Sequence, residues 1–286
     1  MKDLTKKVSV VIPNYNYGRY LWRRVKSILN QTYPIYELII MDDASTDDSL
    51  KVIDEIELYV LKNYPKVKLK TVTSTKNSGK PMAQWRKGVG MTAADSEFVW
   101  IAEADDSCDK NFLAEAMKAF DDPKVVVSYT ESKVINSMGL TILPNFRKSR
   151  DKEGMGHFNK SYVRNGKDEI CEIMAVRCTI PNVSGVVFRR SSTMLRTMDE
   201  ALRFKQVGDW YLYARLLEDG KIAYSRKALN KFRIHRGSAT KRGREHYDEV
   251  EWMHKYFKEH YNLSPKVLEW MMNERKRIRA KYGIMG

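Results

Sequence analysis

Short apolar runs alternate with amphipathic segments along the first 120 residues of the chain. The runs are rich in β-branched residues and have the length of buried strands; they lie at residues 8–12, 37–41, 67–73 and 98–102. Between them, apolar residues recur at helical spacing and predict helices at 20–31, 49–64, 82–94 and 112–120. This alternation predicts an α/β fold with a mainly parallel sheet flanked by helices.

The second half of the chain has a less regular pattern. Strands are predicted at residues 125–129, 183–188, 222–224 and 228–234. Helices are predicted at 208–217, 247–261 and 265–282. Residues 145–166 are polar and rich in Gly and Lys, so we expect them to form a loop.

Three of the predicted strands are followed directly by polar or turn-forming residues. These residues are Pro13, Asn14, Asp42, Asp43, Asp105 and Asp106. In a doubly wound sheet the carboxyl ends of parallel strands meet at one edge, and ligands bind there. We therefore expect the three clusters to converge on a single site.

The last of these clusters gathers carboxylates. Asp105 and Asp106 are adjacent, and Glu103 lies two residues before Asp105. Because like charges repel, such a group needs a compensating partner. Hard oxygen ligands in a short turn suit Mg²⁺ or Mn²⁺, which bridge phosphate oxygens. The alternative is a solvated helix N-terminus whose dipole attracts carboxylates; convergence with the other two clusters favours the metal.

Composition narrows the class of protein. The chain has 286 residues and 43% hydrophobic residues, enough for a packed core, which excludes global disorder. Its three cysteines include no CxxC pair, which argues against a disulfide framework and against a zinc ribbon. The net charge of +15 points to a polyanionic partner: nucleic acid, an anionic membrane or a phosphorylated substrate.

Most of this charge lies near the end of the chain. After residue 220 there are 17 Lys and Arg against 7 Asp and Glu, a net of +10. Residues 264–282 predict an amphipathic helix with Val267 and Met271 on its apolar face, which could rest on anionic lipid. The alternative is a terminal helix packed on the domain with its basic side in water. Since no run approaches the ~18 apolar residues of a membrane span, we expect a cytoplasmic protein, at most peripheral on the inner face of the membrane.

Several segments, in order along residues 8–240, resemble family 2 glycosyltransferases, which have the GT-A fold. Residues 8–49 resemble that family's N-terminal signature, and NSGKPMAQWRKGV followed by FVWIAEADD resembles its middle segment, which leads into the metal-binding DXD motif. The acceptor-side half of bacterial members is similar to IPNVSGVVFRR, VGDWYLYARLLEDGKIAY and FRIHRGSAT. The resemblance implies a GT-A catalytic domain at 1–240, with a nucleotide-sugar-binding half at 1–107 and an acceptor-side half at 108–240. A basic helical C-terminal extension would follow at 241–286.

The resemblance also assigns donor-binding residues. Those expected at the nucleotide base are Pro13, Asn14, Tyr15, Asp42 and Asp43, of which Asp43 would accept a hydrogen bond from the base. Those expected near the ribose and the phosphates are Asn77, Gly79, Lys80, Glu103 and Asp105. Glu103 stands where the family's DXD motif usually begins with Asp.

Metal binding and catalysis are assigned in the same way. Asp105 and Asp106 would hold Mn²⁺ or Mg²⁺, with His235 as a third ligand or a neighbour of the diphosphate. The residues expected in a loop over the diphosphate are Arg236, Lys241 and Arg242. Asp209 matches the family's catalytic base, although the same residue could serve as a helix N-cap. Trp210, beside it, is the candidate for stacking on the acceptor sugar.

The implied reaction is inverting, metal-dependent transfer of a sugar from a nucleotide-diphosphate sugar, with UDP the nucleotide that the family favours. The acceptor would be a saccharide or lipid-linked saccharide in cell-surface polysaccharide synthesis. A nucleotidyltransferase would need a Gly-rich or basic loop after the first strand, where this chain has PNYNYG. A nucleic-acid-binding protein is suggested by charge alone, and no such motif occurs, so we expect no nucleic-acid partner. An inactive relative is disfavoured by the intact Asp105, Asp106 and Asp209.

Overall fold

The computed structural model describes residues 6–146, 156–235 and 243–284. These residues contain one mixed sheet of ten strands. The strands are β1 (Val8–Asn14), β2 (Glu37–Asp42), β3 (Lys68–Thr73), β4 (Phe98–Ile101), β5 (Ser107–Cys108), β6 (Val125–Ile135), β7 (Thr141–Leu143), β8 (Tyr162–Asn165), β9 (Val186–Arg189) and β10 (Lys221–Arg233). Their order across the sheet is β3-β2-β1-β4-β9-β6-β10-β5, with β7 beside β6 and β8 beside β10.

Helices cover both faces of this sheet. In the described residues they are α1 (Gly18–Leu29), α2 (Ser49–Asn63), α3 (Pro81–Gly90), α4 (Phe112–Met117), α5 (Gly166–Glu169), α6 (Ser192–Ala201), α7 (Gly208–Leu217), α8 (Arg244–His260) and α9 (Pro265–Tyr282). Short helical turns occur at Lys118–Asp121, Ile170–Met174 and Val183–Gly185.

The first four strands form the all-parallel part of the sheet. β1 pairs in parallel with β2 and β4, and β2 pairs in parallel with β3. In this register Asn14 lies opposite Asp42, so both strands end at the same level. β9 then joins β4 to β6 in antiparallel fashion, and β6 and β10 run parallel. The predicted mixed α/β sheet is confirmed.

The second half differs in detail from the predicted elements. β10 is one strand of 13 residues where two were predicted, and its pairing with β6 is irregular between Ser225 and Asn230. β8 lies inside the predicted loop, and neither α5 nor α6 was predicted. For β10 the reason is that β6 and β10 bury polar residues, which an apolar pattern does not reveal. For example, the side chain of buried Asn230 donates to Ser132 Oγ at 3.0 Å.

Each face of the sheet has its own hydrophobic core. On one face α1, α2 and α4 pack their apolar residues against β1 and β4, as Leu21 and Phe112 do. On the other face α3, α6 and α7 share a core with α8 and α9, to which Met253, Phe257 and Met271 contribute. The helices of the predicted C-terminal extension therefore cover α7.

His254 of α8 makes the stability of this second core dependent on pH. Its ring is fully buried, and the Nε2 atom lies 3.0 Å from the carbonyl oxygen of Val176. Burial lowers the pKa of His254 to about 4. The unfolded chain takes up a proton near pH 6.5 but the folded chain does not, so stability is lost as the pH falls from about 6.5 to about 4.

We expect this group to contribute a loss of about 3 kcal/mol in the free energy of unfolding across that window. Urea unfolding at pH 7 and at pH 4 measures the loss. His254→Gln keeps a donor for Val176 and does not titrate, so its free energy of unfolding should fall by about 3 kcal/mol less than that of the wild type. Equal losses in the two proteins would contradict the assignment.

Candidate active site

The ends of β1 and β2 form a hydrogen-bonded turn. Asn14 Nδ2 donates to Asp42 Oδ1 at 2.8 Å, and the backbone N–H of Ser45 donates to Asp42 Oδ2 at 2.8 Å. Asp42 is fully buried, and both of its oxygens hold the turn. Tyr15, next to Asn14, is 43% exposed and offers an open aromatic ring at this edge. Pro13 pairs with Met41 across the two strands.

Asp43 ties a second segment to the same edge. It accepts from the Ser78 backbone N–H at 3.0 Å, from Ser78 Oγ at 2.7 Å and from Gln84 Nε2 at 2.6 Å. The turn that carries Asn77, Gly79 and Lys80 is thereby held beside β2. Gly79 has φ +66°, a left-handed conformation that favours glycine.

Lys80 anchors the far side of this turn. Its Nζ donates to the Leu202 carbonyl oxygen at 2.9 Å, just after α6. The predicted donor-side residues from β1, β2 and the 77–80 turn are therefore brought together in the structure.

The carboxylates between β4 and β5 form the most concentrated charge of the site. Glu103, Asp105 and Asp106 each offer an oxygen, and these three atoms lie within 4.8 Å of one another. Asp106 is 1% exposed; it accepts from Asn182 Nδ2 at 3.0 Å and from the Arg233 backbone N–H at 2.7 Å. Fixed partners therefore orient the Asp106 carboxylate.

His235 reaches the cluster from a distant part of the chain. β5 pairs antiparallel with β10, which brings the end of β10 beside residues 105 and 106. His235 Nε2 lies 3.0 Å from Asp105 Oδ2. The rings of Tyr17 and Tyr20 pack against the imidazole at centroid distances of 5.4 and 5.7 Å.

Burial and mutual repulsion disfavour the ionised cluster. Burial raises the pKa of Glu103 well above its usual value, and the charges of Asp105, Asp106 and Asp209 raise it further. Burial, followed by the charge of Asp105, raises the pKa of Asp106 to about 7. A divalent cation would relieve this repulsion, and three carboxylates beside an imidazole are a donor set that Mn²⁺ or Mg²⁺ accepts. The residues present fit such an ion.

Arg24 of α1 is a feature of this site that the sequence analysis missed. Its side chain is fully buried, packs over the Trp100 ring at 5.0 Å, and has no hydrogen-bond partner among the described residues. Its charge lowers the pKa of both Glu103 and Asp106, against the effect of burial. The helical spacing of the sequence does indicate that Arg24 is buried, because Arg24 lies on the same face of α1 as Leu21 and Ile28.

Asp209 lies in the first turn of α7 and is partly exposed. Its Oδ1 accepts from the Trp210 backbone N–H at 2.7 Å. Its charge raises the pKa of Glu103, so it lies near enough to the acidic cluster to act on it electrostatically. A carboxylate in this place can accept a proton beside the cluster.

Trp210 does not join these residues. It is 3% exposed, its Nε1 donates to the Met174 carbonyl oxygen at 2.9 Å, and its ring packs on Phe257 at a centroid distance of 5.7 Å. A ring buried in this way has no face free for a sugar, which argues against the predicted stacking of Trp210 on the acceptor. The predicted diphosphate loop, Arg236, Lys241 and Arg242, lies outside the described residues.

A parallel half-sheet that ends in carboxylates, extended by antiparallel strands, defines the GT-A class of glycosyltransferase folds. The profile of Glycosyl transferase family 2 matches residues 9–178, more than half of the chain, and the chain belongs to this family.

Curated relatives match parts of the chain. An uncharacterised glycosyltransferase of Nostoc sp. is 35% identical over 142 residues, which are 48% of this chain and 39% of that protein. TarS of Staphylococcus aureus, a poly(ribitol-phosphate) beta-N-acetylglucosaminyltransferase, is 29% identical over 136 residues, 47% of this chain and 22% of TarS. The match thus spans well under half the length of either relative.

Solved structures share the fold over nearly the whole chain. TarS residues 1–349 in complex with UDP-GlcNAc align with a TM-score of 0.66 at 19% identity, over 96% of this chain and 74% of that one. The mannosyltransferase PcManGT from Pyrobaculum calidifontis, in complex with GDP-Man and Mn²⁺, aligns with a TM-score of 0.57 at 16% identity, over 99% and 77%. At such identities the likeness establishes the fold.

Proposed function

We propose that this glycosyltransferase is inverting and metal-dependent, and that it transfers a sugar from a UDP-sugar to a hydroxyl of a saccharide or lipid-linked saccharide in cell-surface polysaccharide synthesis. The observation that carries the proposal is the cluster of Glu103, Asp105 and Asp106. His235 contacts this cluster at Asp105, and the charge of Asp209 raises the pKa of Glu103. A divalent cation held by these carboxylates would supply the positive charge that attracts a nucleotide diphosphate, and Asp209 would be the carboxylate that accepts a proton beside it.

The donor would lie along the edge that β1, β2 and β4 form. The exposed ring of Tyr15 suits stacking on the base, and Asp43 would exchange a bond to Ser78 or Gln84 for one from the base. The TarS structures that share this fold contain UDP and UDP-GlcNAc, which favours a UDP-sugar here.

The chemistry divides between the cluster and Asp209. Glu103, Asp105 and Asp106, with His235 beside them, would hold Mn²⁺ or Mg²⁺, which would supply positive charge to the diphosphate. Asp209 accepts the proton of the acceptor hydroxyl as its oxygen bonds to the anomeric carbon. The bond from that carbon to the diphosphate oxygen breaks on the opposite side, so the sugar inverts and the nucleoside diphosphate leaves with the electron pair.

A thermal-shift screen tests the donor and the metal together. UDP-GlcNAc, UDP-Glc and UDP-Gal are compared with GDP-Man, each with and without Mn²⁺. A UDP-sugar at 100 times its Kd should stabilise the fold by about 2.7 kcal/mol, a rise of several degrees, and only with the metal. A stronger effect of GDP-Man would contradict the choice of nucleotide, and equal shifts without Mn²⁺ would contradict metal dependence.

We further propose peripheral contact with an anionic membrane through α9. No helix in the part of the chain that the structure describes is long and apolar enough to cross a bilayer. The apolar face predicted for lipid packs on the domain instead, since Val267 and Met271 are buried. A neighbouring side of the helix exposes Leu268 and Met272, 38% and 44% exposed. Helix geometry places Lys276 and Arg279 on that same side, and Lys281 lies in the last turn.

Vesicle sedimentation tests this surface. Each basic residue near anionic lipid contributes about 1 kcal/mol, so the triple variant Lys276→Gln, Arg279→Gln, Lys281→Gln should bind phosphatidylserine vesicles roughly 100-fold more weakly at low salt. Neutralising an equal number of exposed lysines on α1 and α2 is the matched control: Lys26, Lys51 and Lys62. Equal weakening by both triple variants would indicate nonspecific attraction and contradict the proposal.

A further inference from the structure

The segment between α6 and α7 has an unusual anchor. α7 begins at Gly208 after Val207, whose side chain cannot cap a helix. The carboxylate of Glu249, in α8, instead binds the three residues that precede this helix. Its Oε1 accepts from the Lys205 backbone N–H at 2.8 Å, and its Oε2 accepts from those of Gln206 at 2.8 Å and Val207 at 3.1 Å.

Three successive N–H groups that converge on one carboxylate form an anion nest. Hydrogen bonds to an ionised acceptor are roughly twice as strong as neutral ones, so this contact restrains the segment firmly. The nearby ion pair of Lys205 with Glu245 adds little, because the two side chains are 61% and 52% exposed. The conformation of residues 205–207 therefore depends mainly on Glu249.

Aromatic packing fixes the helix that carries this carboxylate. The Trp252 ring, three residues after Glu249, lies 5.0 Å from the Phe204 ring, and Phe257 packs on Trp210 at 5.7 Å. Glu249 is thus presented by a helix that contacts both ends of the segment it holds.

From this geometry we propose that Glu249 is a positioning residue for Asp209, two residues beyond Val207; the inference rests on the proposed role of Asp209 as the base. A catalytic group displaced by about 1 Å can lose about 100-fold in rate. The nest sets the backbone from which the first turn of α7 projects Asp209. The C-terminal helices, beyond the family match at residue 178, thereby take part in the reaction without touching substrate.

The test compares Glu249→Gln with Glu251→Gln, which removes the same charge from an exposed site on the same helix. The readout is UDP release from UDP-GlcNAc with Mn²⁺, where water replaces the acceptor. An amide nitrogen facing three N–H donors breaks the nest, so Glu249→Gln should lower kcat by about 10- to 100-fold, with KM within twofold of wild type. Glu249→Asp, which keeps the carboxylate, should recover part of kcat, and Glu251→Gln should match the wild type.

Hydrogen–deuterium exchange gives a second measurement that needs no turnover. The amides of residues 205–209 should exchange at least about tenfold faster in Glu249→Gln, with the rest of α7 and α8 unchanged. Unchanged exchange in that segment, or loss of protection throughout the domain, would overturn the inference. Asp209→Asn separates the two proposals: wild-type UDP release by that variant refutes the base, whereas an inactive Asp209→Asn beside a fully active Glu249→Gln refutes the positioning role alone.

Discussion

Asp209→Asn should lower the turnover of sugar transfer by about 10²- to 10⁴-fold, the usual contribution of a general base. Asn has the same shape, and its Oδ1 can still accept from the Trp210 backbone N–H, so α7 should begin as before. An amide cannot take up the proton that the proposed role assigns to Asp209. Donor affinity should stay unchanged, because no donor group is assigned to Asp209.

Two measurements on the same variant check this expectation: nucleoside diphosphate release, and the thermal shift with donor and Mn²⁺. The control is Asp219→Asn, which makes the same change at an exposed position just after α7. A variant that retains turnover, or that loses donor binding together with turnover, would show that Asp209 is not the base.

The second large effect concerns the acidic cluster. Asp105→Asn should weaken Mn²⁺ binding by at least about 100-fold. Removing a residue that only hydrogen-bonds to a metal ligand already lowers metal affinity by about 10- to 100-fold. The same change should raise the melting temperature of the metal-free protein, because the Asp105 charge is among the causes that raise the pKa of Glu103 and of Asp106. A higher melting temperature together with weaker Mn²⁺ binding is expected of a binding site in which repelling carboxylates are retained for function at the expense of stability.

Titration with Mn²⁺ and melting curves in EDTA measure the two effects. Asp109→Asn, outside the cluster and partly exposed, is the matched control. Mn²⁺ affinity of the wild type should also fall as the pH is lowered through about 7, because ligands must lose their protons and burial raises the pKa of Asp106 to that value. Unchanged affinity in Asp105→Asn would remove this residue from the metal site.

The convergence of the ends of β1 and β2 at one edge of the sheet could be predicted from local sequence. Alternation of strands and helices implied a parallel sheet, and in such a sheet Asn14 and Asp42 must end together, as their register confirms. The bond that Asp42 accepts from Ser45, three residues on, is a local turn contact, whereas the bond from Asn14 joins two strands, so only the structure shows that both oxygens of Asp42 hold the turn.

The sequence pattern around α7 does not distinguish a core residue from a candidate site residue. Asp209 and Trp210 are adjacent on α7, yet the charge of Asp209 acts on Glu103, whereas the Trp210 ring packs in the core that α8 completes. Neighbours along a helix point about 100° apart, so adjacency in sequence does not imply a shared site.

The sequence by itself determined the fold class, the family and the candidate carboxylates, because strand and helix periodicity and the order of short motifs are local properties of the chain. Only the tertiary structure decided what surrounds those carboxylates. His235 meets Asp105 across 130 positions because β5 pairs with β10, and Glu249 reaches residues 205–207 because α8 packs beside α7. Such contacts depend on long-range packing and strand pairing, which the sequence specifies only through the whole fold.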